Sequence, residues 1–115
     1  MRTLNVELGS RSYPIRIGAG LLADPLQYEA LQGRKLRIVT DVNAGRRYLN
    51  AVLTALKLTP DDALVLPAGE AQKTWANAEK ILDWLLAGQI GRDGCVIALG
   101  GGVIGDITGF CAALY

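Results

Sequence analysis

The fold turns on the stretch Cys95-Val96-Ile97-Ala98-Leu99-Gly100-Gly101-Gly102-Val103-Ile104-Gly105-Asp106-Ile107-Thr108-Gly109-Phe110. Cys95 to Leu99 is an uncharged apolar run that reads as a buried strand, and it leads directly into three glycines. The pattern predicts a final helix beginning near Val103. Gly100, Gly102 and Gly105 satisfy G-x-G-x-x-G in the context that gives this spacing meaning, after a strand and at the opening of a helix. Such a loop lets the backbone approach a pyrophosphate closely, while unpaired N–H groups and the helix dipole stabilise its charge. A glycine turn serving only close strand–helix packing gives the same letters. The fingerprint also departs from the ordinary dinucleotide pattern, because the acidic residue expected about 20 positions on falls beyond Tyr115.

Upstream, two kinds of strand are legible. Thr3–Leu8 and Tyr13–Ile17 alternate apolar and polar residues around Gly9-Ser10, which predicts two short strands. Leu36–Val42 and Ala63–Leu66 are more continuously apolar, as strands covered on both faces are. Between them, Ala44–Leu58 predicts an amphipathic helix burying Tyr48, Val52 and Leu56, with Arg46, Arg47 and Asn50 toward water. Thr74 is placed to cap a helix running to Gly88, with Trp75, Ala78, Leu82 and Leu85 on one stripe. Both tryptophans, Trp75 and Trp84, read as core anchors. Strands alternating with helices predict right-handed crossovers and an α/β, doubly wound, mainly parallel Rossmann-like sheet in a single domain over 1–115. The segment Ile107–Tyr115 is apolar with no polar face and no terminal glycine, so the pattern predicts a longer parent sequence.

Composition narrows the chemistry. The 115 residues include 12 Lys and Arg against 11 Asp and Glu, a net charge of +1 that gives no global field for nucleic acid or an acidic membrane. There is no histidine, so Ser-His and Cys-His catalysis and the commonest metal ligand are absent from these residues. Cys95 and Cys111 lie in apolar runs and read as reduced, structural thiols. Arg2, Glu7, Arg11 and Arg16 interrupt any signal-peptide core, which makes the cytoplasm the expected compartment. Gly94–Tyr115 carries only Asp106 as a charge, yet six glycines and that carboxylate argue for strand, turn and helix rather than a membrane span.

Three strand ends present polar or glycine-rich groups. Asp41 ends a buried strand, where a carboxylate can accept hydrogen bonds from ribose hydroxyls, and Asn43 adds a second polar group; both residue types also cap helices. Ala68-Gly69-Glu70-Ala71-Gln72-Lys73 follows the next strand, and Glu70 with Lys73 reads equally as an exposed ion pair. Gly101, Gly102, Val103, Ile104, Gly105 and Asp106 form the third segment. Asp106 suits a helix N-terminus, and in an otherwise apolar helix its charge needs solvent, a partner or a ligand. The convergence of three segments on one sheet edge is more specific than any one motif.

Together, Arg11-Ser12-Tyr13-Pro14-Ile15 with Ile17-Gly18, Leu66-Pro67-Ala68-Gly69-Glu70 with Lys73-Thr74, and Ala98 to Phe110 resemble the 3-dehydroquinate synthase family of sugar-phosphate cyclases, in order along the whole chain. The resemblance implies the N-terminal NAD-binding part of a longer lyase of the shikimate pathway, whose C-terminal α-helical metal and substrate domain lies beyond these residues. It implies conversion of 3-deoxy-arabino-heptulosonate 7-phosphate to 3-dehydroquinate and phosphate. It further implies catalytic NAD, a divalent metal (zinc or cobalt) held by one glutamate and two histidines outside this stretch, and a homodimer. By position, Asp41 and Asn43 match residues near the adenosine ribose, Ala68 to Lys73 a second NAD-contacting loop, and Gly102 to Asp106 the pyrophosphate loop. No catalytic or metal-binding residue is assigned within 1–115, so this stretch alone is expected to be inactive.

Three alternatives stay open at this point. Another sugar-phosphate cyclase shares the NAD loops, a polyol dehydrogenase shares the architecture with net hydride transfer, and a non-enzymatic nucleotide-binding fragment fits the composition.

Overall fold

The structure, a computed structural model, describes residues 1–115. Parallel strands built from β-branched and aliphatic residues form its centre: β3 (Leu36–Asp41) lies between β4 (Ala63–Leu66) and β5 (Cys95–Leu99), in the order β4-β3-β5. Register pairs Ile38 with Ala63 and Asp41 with Leu66 on one side, and Leu36 with Cys95 and Thr40 with Leu99 on the other. The preceding β1 (Arg2–Val6) and β2 (Tyr13–Ile17) form a separate antiparallel hairpin.

Alternation along β3 assigns the helices to faces. Ile38 packs with Val52, Leu53 and Leu99, whereas Val39 packs with Leu66, Ala78, Ile81, Leu85, Ile104, Ile107 and Cys111. The first face is covered by one helical rod made of α1 (Val42–Ala44), a π-helical stretch (Gly45–Leu49) and α2 (Asn50–Leu56), closed by Lys57 in the left-handed region at φ 58°. The second face carries α3 (Trp75–Ala87) and α4 (Gly102–Leu114). Helices on both faces of a parallel sheet make the doubly wound arrangement expected from the alternating pattern.

The connections are informative. The chain goes from β3 to β4 over the first face, then from β4 past β3 to β5 over the second. Helix α1 and helix α4 therefore leave the neighbouring ends of β3 and β5 toward opposite faces, the topological switch point at which open α/β sheets bind ligands.

Several sequence expectations need correction. Trp75 is 76% exposed, because α3 turns Ala78, Ile81 and Leu85 inward and leaves its first residue beyond the core; only Trp84 packs against it. Tyr48 is also exposed, since it lies at the flank of the rod's buried stripe, whose fully buried residues are Val52 and Leu53. Leu56 is partly buried against that face. Strand β5 is an edge strand here, with only Leu99 fully buried. The hairpin's apolar face (Leu4, Ile15, Ile17 and Tyr13) is exposed and joins neither core cluster. Both cysteines are free, Cys111 fully buried and Cys95 half-buried. No helix is long and apolar enough to cross a membrane.

Candidate functional site

All three strand ends named from the sequence lie on the carboxyl edge of the sheet, as parallel pairing requires. At the end of β3, Asp41 takes the capping role: its Oδ1 accepts from the N–H groups of Asn43 (2.9 Å) and Ala44 (2.8 Å). This fixes the carboxylate on the helix start and leaves Oδ2 outside those bonds. The Asn43 side chain is exposed. Beside Asp41, the buried Thr40 hydroxyl donates to the Leu99 carbonyl at 2.7 Å, tying the ends of β3 and β5 together across the switch point.

The loop after β4 is held in a defined path. Gly69 has φ 113°, a conformation that L side chains rarely adopt, and Glu70–Gln72 follow as one 3-10 turn. Asn77 Nδ2 donates to the Gln72 carbonyl (2.7 Å) and to Gln72 Oε1 (3.1 Å), so Gln72 anchors the loop to α3. Thr74 caps α3 by accepting from the Asn77 N–H at 3.2 Å, as expected. Ala68 is half-buried and Ala71 exposed, and neither presents a polar side chain.

Lys73 joins this loop to the glycine loop. Its Nζ donates to Asp106 Oδ2 at 3.0 Å and also pairs with Glu70 Oε1 at 3.2 Å. The sequence suggested the Glu70–Lys73 pair but not the link to Asp106, 33 residues away. The one available signal was a lone carboxylate in an apolar helix. The hydrogen bond to Asp106, then that to Glu70 and the charges of both, hold the Lys73 ammonium above its ordinary pKa of 10.5. An ammonium has three N–H donors, so one remains for a further acceptor.

The glycine loop itself is open. No side chain caps α4, and the first backbone bond at its start runs from Gly105 N–H to the Gly101 carbonyl at 3.0 Å. The N–H groups at the leading turn of the helix therefore face outward, with the positive end of the dipole behind them. A Cβ placed on Gly101, Gly102 or Gly105 meets nothing within 4 Å, whereas one on Gly100 comes within 3.1 Å of the Ile104 side chain. Gly100 is thus required for strand–helix packing, and Gly101 and Gly102 leave backbone accessible. Val103 is half-buried and Ile104 fully buried, so these two build the loop's support. These features fit a dinucleotide pyrophosphate.

Two hollows flank the loop. One of about 370 Å³ is lined by Lys73, Thr74, Asp106, Ile107 and the exposed Trp75, whose ring meets Phe110 edge-on at 5.4 Å. The other, about 390 Å³, lies at the switch point between Ala44 and Tyr48 on one side and Ala98–Gly101 on the other. Sequence reading missed both, because it placed Trp75 and Tyr48 in the core. No group of three or more Cys, Asp and Glu side chains converges to hold a metal ion, so these residues do not fit a zinc or cobalt centre.

Comparison with known proteins gives the chain's relatives. Residues 63–115 match the family model described as 3-dehydroquinate synthase N-terminal. The whole chain aligns with the 3-dehydroquinate synthases of Methylococcus capsulatus and Acidithiobacillus ferrooxidans, each at 47% identity, and of Pseudomonas fluorescens at 45%. The chain spans about a third (32%) of the length of each of these relatives. Its fold matches a crystal structure of 2-deoxy-scyllo-inosose synthase complexed with carbaglucose-6-phosphate, NAD+ and Co2+, with a TM-score of 0.83, 21% identity, and coverage of 99% of this chain and 32% of that one. From end to end the chain is similar to the N-terminal third of 3-dehydroquinate synthases, and residues 63–115 match that family's N-terminal model.

Proposed function

We propose that this chain is the NAD-binding portion of a 3-dehydroquinate synthase, and that the carboxyl edge of its sheet holds the dinucleotide. The observation that carries the reading is the meeting of two loops at one helix start: Lys73 spans from Glu70 to Asp106 beside the uncapped N-terminus of α4. Gly101, Gly102 and the following N–H groups receive the pyrophosphate, and the remaining Lys73 donor adds positive charge there. Pairing with Lys73 offsets the repulsion between Asp106 and the phosphates. Asp41, already fixed by its two backbone bonds, offers its second oxygen to a ribose hydroxyl, with Asn43 alongside. Ala68, Gly69, Ala71 and Gln72 set the loop path that brings Glu70 and Lys73 into place. Bound NAD supplies a reversible hydride acceptor.

The relatives' name points to 3-dehydroquinate as product; the reading adopted here, from the family resemblance, is closure of a phosphorylated heptulosonate with release of phosphate, in the shikimate pathway and the cytoplasm, by a homodimer. The inosose synthase complex, with its sugar-phosphate analogue, NAD+ and Co2+, supports the same ligand classes here. A divalent metal, zinc or cobalt, with ligands outside 1–115, belongs to the same reading through the family resemblance, and the Co2+ in the inosose synthase complex supports a divalent metal. Identity of 45–47% with synthases of this name favours that substrate over those of other cyclases or dehydrogenases.

Calorimetric titration of the chain with NAD tests the binding claim, with Gly102→Asp as control. A Cβ on Gly102 meets nothing, so the variant retains the fold while placing a carboxylate against the phosphates. Saturable binding lost in the variant is the expected result, and equal binding by both chains contradicts it. The chain alone is expected to release no phosphate from the heptulosonate phosphate.

A further inference from the structure

We infer that Tyr48 is a cofactor-contacting residue, whose ring packs against one of the two flat bases of the dinucleotide in the hollow at the switch point. This rests on the NAD reading above and adds a residue to it. Tyr48 lies in the π-helical stretch Gly45–Leu49, at the flank of the buried stripe of Val52 and Leu53, and its side chain is 45% exposed at the mouth of the crevice. Single wide turns of this kind recur at functional sites.

The hollow's shape selects the ligand. Ala44 lies beside Tyr48 on the same rod, and facing them are Ala98, Gly100 and Gly101, so the small residues leave a slot beside one aromatic ring, with Leu22 also lining it. Such a wall is apolar and suits a flat heteroaromatic ring, which stacks without demanding a particular hydrogen-bond pattern. The slot runs directly into Gly101, the residue that opens the uncapped helix start. A flat ring joined to a phosphate is the chemistry that fills both at once.

The test titrates NAD into the chain and into Tyr48→Phe and Tyr48→Leu, following both the dissociation constant and the proton resonances of the two NAD rings. Leucine keeps apolar bulk at a half-exposed position, and circular dichroism confirms that the variant is folded. Expected are unchanged binding in Tyr48→Phe, binding weakened about tenfold in Tyr48→Leu, and an upfield ring-current shift of either the adenine or the nicotinamide protons that disappears with the leucine. The set of protons that moves identifies the base. If the wild-type chain binds NAD and neither affinity nor ring shifts change in Tyr48→Leu, this inference is overturned while the dinucleotide reading stands. If the wild-type chain shows no NAD binding, the dinucleotide reading fails and takes this inference with it.

Discussion

Lys73 Nζ lies 3.0 Å from Asp106 Oδ2, and this single bond joins the loop after β4 to the helix that opens at the glycine turn. Both side chains are largely exposed, 41% and 67%, so the pair adds little to stability. Its consequence is positional: a cation is fixed between two carboxylates at an anion-attracting helix start.

Replacing Lys73 with Met is therefore expected to leave stability essentially unchanged while weakening NAD binding about tenfold. Denaturant unfolding and calorimetry separate the two effects. The pH dependence has a definite sign. The folded-state pKa is raised above 10.5, so the bridge is fully formed below that value and is lost only as pH rises through the higher folded one. A Lys73 side-chain titration by NMR with a midpoint below 10.5 contradicts the geometry.

Gly100 and Gly101 are expected to respond differently to alanine. A Cβ on Gly100 comes within 3.1 Å of Ile104, one of the largest fully buried side chains, so Gly100→Ala should cost about 1–3 kcal/mol. Gly101 has φ −86° and open space around it, so Gly101→Ala should be close to neutral. Thermal melts of the two variants decide the point.

The two thiols should differ in reactivity. Cys111 is fully buried, its Sγ donates to the Ala78 carbonyl at 3.5 Å, and burial pushes its thiol above the ordinary 9.0. Folding thus favours the protonated thiol, and the stability tied to it is present below pH 9.0 and lost as pH rises through the folded value. A disulfide reagent at pH 8 should label Cys95 first and reach Cys111 only with unfolding; equal rates contradict this packing.

Amide exchange should divide the chain in two. The β1–β2 hairpin contributes no residue to either core cluster, and an isolated two-stranded hairpin is marginal in water. Its amides are expected to exchange far faster than those of β3, which is hydrogen-bonded on both sides. Protection of Leu4 and Ile15 equal to that of Ile38 and Val39 contradicts this.

The central sheet, its crossovers and the three converging strand ends were legible because each depends on local pattern: continuous apolar strands, a threonine cap at Thr74, glycine after β5. Asp41 was readable as either cap or ligand, and the structure shows the cap directly. The Lys73–Asp106 bond was not legible, since it joins elements that meet only through tertiary packing. Trp75 and Tyr48 misled for a related reason. Hydrophobic type sets a preference for burial, but position on the helix decides it: Tyr48 flanks the stripe of Val52 and Leu53, and Trp75 opens its helix beyond the core. Similarly, β5 read as a buried strand by composition, while its place at the sheet edge depends on what pairs beside it.

The most direct test is a backbone amide NMR titration of the chain with NAD. Saturable shifts confined to Asp41–Asn43, Ala68–Lys73 and Gly101–Asp106, with the hairpin unmoved, are the result predicted here. Absence of saturable shifts at those three segments, or shifts centred elsewhere, contradicts a dinucleotide site at the carboxyl edge of this sheet.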